Sequence, residues 1–322
     1  ALIANGKYLN KSRYPSEGSL NHETIWSIRW TSTFGNGWER EPTIEELTTL
    51  QFKDGDFDEN FDYRNAELVI YHEWDESFVS INEYDYVNRK FIFNKPCGHP
   101  PGSFGNQNYV VYNTKSGMSQ ELSWYWDKSE NVIYIKPDDA MTAENLEVHL
   151  PLHKSVISMK NVKDIVIENV QFTECTAPLI AAQFGAQMIP GAIDIESGYN
   201  ISIDNITVKN SGGMGIRANG RNIKINKSKF EILGAGGIWV GINDEFLFMS
   251  DEEIEDGCSS KIEECNVERT GIDFFASIGL FGRHANIINN SIKNAPYMGI
   301  NAGGNGVLVE KNIVSNVMKK LN

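Results

Sequence analysis

No run of apolar residues in this chain approaches the roughly 20 needed to cross a bilayer as a helix. Nor is there a CxxC pair: the four cysteines, Cys97, Cys175, Cys258 and Cys265, have no spacing that reads as a zinc site. Only Cys258 and Cys265 stand close enough in sequence to suggest a bridge, so cysteine usage does not fix the redox compartment. Basic residues are also scarce, 29 against 43 acidic, for a formal net charge of −14. A phosphate polyanion or an anionic bilayer needs a basic stripe, so this balance disfavours nucleic acid and membrane as partners. The opening residues, ALIANGKYLNKSRYP, lack the apolar core of a signal peptide, as a secreted protein in mature form also would.

What is present falls into two textures. Residues 1–152 hold six of the seven tryptophans and read as a small antiparallel β domain. Alternation predicts strands at ELVIYHEW, SFVSINEYDYV, KFIFN and NYVVYN, and LSWYWDKSENVIYIKP predicts a hairpin turning at Asp127–Asn131. PTIEELTTLQF predicts a short helix capped by Thr43.

Residues 153–322 repeat a shorter sentence, with a basic step of about 20 to 23 residues. The first strands are VISMK, AIDIE, GIRAN, GIWVG, IGLFG and GINAG. Each is followed by a turn and a second strand, IVIENVQF, NISIDNITV, NIKINKSKF, SSKIEECNV, NIINNSI and GVLVEKNIV. Two steps are lengthened by insertions at 178–190 and 242–257. A unit of this length, all strand and turn, buries its apolar side only by stacking on its copies, which predicts a solenoid of parallel β coils. The competing leucine-rich repeat lacks its LxxLxL signature here.

Alternation then assigns directions. With Ile157, Ile193, Ile216, Ile238, Leu280 and Ile300 inward, two rows point outward. One is Ser158, Asp194, Arg217, Trp239, Phe281 and Asn301; the other is Lys160, Glu196, Asn219, Gly241, Arg283 and Gly303. The rows gather two carboxylates, two guanidiniums, an indole and amides, the mixture a sugar needs for its apolar face and its hydroxyls. On the second strands Ser228, Cys265, Asn290 and Asn312 recur at one position and read as an inward polar ladder.

The succession NGKYLNKSRYP, LVIYHEWDESFVSINEYD, ELSWYWDKSENVIYIKP and then Asn/Gly-rich coils resembles right-handed parallel β-helix carbohydrate-active proteins. These include glycoside hydrolases of the β-xylosidase and fucosidase/xylanase types, with lyases and epimerases more distant. The resemblance implies a secreted or periplasmic enzyme that hydrolyses glycosidic bonds of a complex polysaccharide in a groove on the outer face.

Glycoside hydrolysis uses two carboxyl groups, about 5–5.5 Å apart for retention and 6.5–9.5 Å for inversion. Same-face residues on one strand suit the wider figure, making Asp194 and Glu196 the catalytic candidates. The plainer alternative is a surface strand whose acids pair with Arg217 in the next coil. Arg217, Asn219, Trp239, Asp244, Arg283, His284 and Asn301 are the substrate-binding candidates. No cofactor is implied, although the acids of NDEFLFMSDEEIEDG leave calcium open. Two other classes stay in view. A lyase or epimerase acting on uronic acids would use Arg217, Lys160, Arg283 and the acidic loop. The other is a non-catalytic glycan-binding module, such as an adhesin resembling a tail fibre, built on the same solenoid. Whatever the class, the alternating strand of the last coil would pair with further coils, another chain or solvent.

Overall fold

The computed structural model describes residues 1–31, 37–105, 107–241 and 260–318. The chain forms two compact units: residues 2–148 with 179–183, and residues 149–178 with 184–318, together with Ala1.

In the first unit the predicted elements form at Glu67–Tyr71, Glu76–Asp85, Lys90–Phe93 and Asn108–Tyr112, paired antiparallel within one sheet. Leu68, Ile70, Val79, Phe91, Tyr109 and Val111 alternate onto its buried face and close a core with Phe52 and Leu50. The hairpin Ser123–Asp127/Val132–Lys136 pairs in the expected register, Trp124 opposite Ile135. Its neighbour Lys7–Lys11 runs parallel to it, so this sheet is mixed rather than purely antiparallel. The helix Ile44–Thr48 carries a reciprocal cap, the Thr43 hydroxyl accepting from Glu46 N–H and the Glu46 carboxylate from Thr43 N–H. Residues 179–183, inside the segment read as a coil insertion, run beside Glu76–Phe78 of this unit. There Phe78 N–H donates to Ile180 O and Ala182 N–H to Glu76 O.

The second unit is built of parallel strands. The inward residues assigned from alternation stand in direct register, Ile157 to Ile193 to Ile216 to Ile238 to Leu280 to Ile300. All but the two terminal members are buried, each contributing about 1.5–3 kcal/mol of apolar burial.

The segment read as one second strand is two. Each copy turns at a residue in the left-handed region: Asn169, Asn205, Lys227, Glu264, Asn289 and Lys311, with φ between 47° and 58°. Asparagine tolerates that region better than most side chains, and the turn diverts the chain before Phe172, Val208, Phe230, Val267, Ile292 and Val314 stack as a third parallel row. At the first five corners the N–H donates to a carbonyl of the next copy, for example Asn205 to Asn226 O at 3.1 Å.

The inward polar ladder forms as read. Ser228 Oγ accepts from Ile206 N–H, Asn290 Oδ1 from Cys265 N–H at 2.9 Å, and Asn312 Oδ1 from Asn290 N–H at 2.9 Å. Cys265 is a free, buried thiol rather than half of a bridge; it donates to Glu263 O and Ile225 O, and burial pushes it up to about 12.

Candidate functional site

The first outward row is continuous in register: Ser158, Asp194, Arg217, Trp239, Phe281 and Asn301 each face the next. Parallel neighbours are about 4.8 Å apart, so side chains along the row touch.

Asp194 and Arg217 make a two-pronged ion pair, Nε to Oδ2 at 2.8 Å and Nη2 to Oδ1 at 2.9 Å. Gly191 N–H adds a third donor to Oδ2 at 3.0 Å. Asp194 is only 8% exposed, so its oxygens are engaged by fixed donors on a largely dry floor.

Glu196 is different. It is exposed and accepts from Lys160 Nζ at 3.0 Å, an open ion pair of little energetic weight. Its register also departs from the aligned reading. Ile195 faces Ala218 but Gly198 faces Gly220, so Glu196 and Ser197 together stand opposite Asn219. This is a β-bulge, which re-aims the side chains around it. Gly220 permits it: a Cβ there would lie 2.0 Å from Gly198 O, and its φ is 155°. The second row is therefore interrupted between Glu196 and Asn219.

Trp239 points outward as assigned, yet it is 7% exposed. Its ring stacks on Phe281 at 3.7 Å between centroids and 10° between planes. Over it lies the turn Phe184–Ala186, where a Cβ on Gly185 would come within 2.9 Å of the indole Cζ3. The turn residues of the insertion thus cover the indole, which is a wall rather than an open stacking platform. Phe281 is the half-exposed ring of the pair. Phe184 meets Tyr297 edge-on at 6.3 Å, extending the aromatic flank.

Asn301 is half-buried, its amide donating to Met298 Sδ. Arg283 ends the strand Leu280–Arg283 and faces Gly303. His284 follows in the left-handed region with φ 49°, its ring packed below Gly304. Asp244 and the acidic run considered for calcium lie outside the described residues, as do Cys258 and the insertion 242–257. Among the described residues no group of three or more His, Cys, Asp or Glu side chains is arranged to hold a metal ion.

The structure thus brings Asp194, Arg217, Trp239, Phe281 and Asn301 into one row. It sets Glu196 beside that row on a bulge, with Lys160 as its register partner on the preceding strand. Sequence reasoning missed the bulge, for which the one available signal was Ser197-Gly198 beside Gly220; it left open whether Trp239 stacks on sugar or is shielded by an insertion, and residues 184–186 of the first insertion cover it.

No family model matches the chain, and no curated protein matches it. A solved structure titled "Glycoside hydrolase" is similar over 98% of this chain and 68% of its own, with a TM-score of 0.63 and 13% identity. At that identity the likeness speaks for a shared fold.

Proposed function

We propose that the chain is a carbohydrate-active hydrolase. Its second unit is a right-handed parallel β-helix, and its substrate, a complex polysaccharide met outside the cytoplasm, lies along the outward rows. The observation that carries the reading is the unbroken register from Asp194 to Asn301, which lines up paired carboxylate and guanidinium, an aromatic pair and an amide. Resemblance in fold to a structure titled glycoside hydrolase supports it.

Within this reading Glu196 is the carboxyl that reaches substrate: exposed, on a bulge, and held only by a surface lysine. Asp194 is the fixed carboxylate of the pair, two residues away on the same strand, where Cα atoms lie about 6.5–7 Å apart; a pair set this close is of the order of the separation that admits a water for inversion. Phe281 offers the ring for the sugar's apolar face.

Glu196→Gln is expected to lower kcat by about 100-fold or more while leaving binding intact, as for loss of a general acid or base. Asp194→Asn is expected to lower kcat and also to loosen Arg217. Steady-state kinetics on the polysaccharide found to be cleaved checks both; unchanged kcat in both variants would remove these residues from the chemistry.

One observation favours a second reading, a non-catalytic glycan-binding surface. The three donors on Asp194 leave it little capacity to act as acid or nucleophile. Binding without turnover would be its signature.

A further inference from the structure

Three cations lie on the outward rows, and two are matched by a carboxylate in register. Arg217 grips Asp194 with two prongs, and Lys160 holds Glu196. Arg283 is the exception. Among the described residues it makes no ion pair, although acidic residues outnumber basic ones 43 to 29. Its Nε is fully buried without a hydrogen-bond acceptor. That nitrogen is closed to solvent, but the side chain as a whole is half-buried, so a charge uncompensated by any described carboxylate is left partly accessible.

The neighbours leave room for such a ligand. The register partner of Arg283 is Gly303, and a Cβ built there would meet no atom within 4 Å. On the preceding copy the row position is held by Gly241, also without a side chain. Arg283 therefore has an open notch on its Gly303 side. Two residues before it on the same face is the half-exposed ring of Phe281, whose register partner Asn301 carries an amide.

We propose that this notch is a subsite for an acidic sugar residue, with the Arg283 guanidinium binding its carboxylate and Phe281 its ring. The guanidinium fork matches a planar carboxylate with two parallel N–H···O bonds, which a neutral hydroxymethyl group cannot reproduce. The inference rests on the carbohydrate reading above and narrows it to polysaccharides bearing uronic acids. A sulfate ester presents similar oxygens, so the test separates the two.

The experiment is calorimetric titration of the full chain with trisaccharides of galacturonic, glucuronic and mannuronic acid, each beside its carboxyl-reduced counterpart and a sulfated neutral trisaccharide. At least one acidic ligand is expected to bind about tenfold or more tightly than its reduced counterpart. Arg283→Gln is expected to abolish that difference while leaving the neutral ligand's Kd unchanged, and Arg283→Lys to restore only part of it, since the fork is lost. Equal binding of acidic and neutral ligands, or a preference that survives Arg283→Gln, would overturn the anchor and leave the carbohydrate reading intact. Tighter binding of the sulfated ligand than of every uronate would overturn the assignment to carboxylate. Binding of no ligand of either kind would overturn both readings. Unchanged melting of the two variants guards against a folding artefact.

Discussion

Asn290 is a small side chain with a large share of the second unit's polar accounting. It accepts from Cys265 N–H and donates to Ile262 O at 3.0 Å and Asn312 Oδ1 at 2.9 Å, while 2% exposed. Asn290→Ala would strand a backbone donor and a carbonyl away from water. A loss of about 1–3 kcal/mol for each is expected in urea unfolding. Asn290→Ser should cost less, because Ser228 fills the equivalent place two steps away using only a hydroxyl. Equal stability of Asn290→Ala and wild type would mean the ladder is not structural.

At this scale the sequence was legible wherever alternation decides. Inward isoleucines, outward Asp194 and Arg217, and the polar ladder all follow from a period of two. It was not legible where a distant segment decides. Trp239 points outward, but its exposure depends on Gly185, which lies far from it in sequence and packs on the indole.

At the level of elements, corners are the lesson. The runs read as single strands break at Asn169, Asn205 and their counterparts, and half of those six positions are Lys or Glu rather than Asn. Nothing in the local composition of IEECN or INKSK announces a left-handed residue; stacking on the next copy imposes it. The bulge at Glu196 is the same kind of feature, visible only once Gly198 and Gly220 are set opposite each other.

The first unit carries a prediction of its own. His72 bonds Ser77 Oγ at 2.9 Å, and burial lowers its pKa from 6.5 to about 4; burial does the same to His22. Between those values the unfolded chain binds protons that the folded unit refuses, so stability should fall as pH drops from about 6.5 toward 4 and level off below. Six of the seven tryptophans belong to residues 2–148, so indole fluorescence reports this unit. Its urea midpoint should fall across that window, and His72→Gln should make the slope shallower. A midpoint independent of pH between 7 and 4.5 would contradict the burial of these rings as neutral imidazoles.

For the molecule as a whole, repetition of a strand-and-turn unit pointed to stacked parallel strands, and parallel sheets of matching register are what the second unit contains. Function is less legible, because one fold serves hydrolysis, elimination and plain binding alike. What separates them is chemistry at the outward rows, where Asp194 is bound by three donors and Glu196 is open. The most direct measurement is mass spectrometry of products after incubating the protein with plant and uronic-acid polysaccharides. Fragments carrying one added water per cleavage, lost in Glu196→Gln, are the predicted result. Unsaturated fragments, or no fragments from any polysaccharide, would contradict hydrolysis and leave an eliminating enzyme or a binding surface in its place.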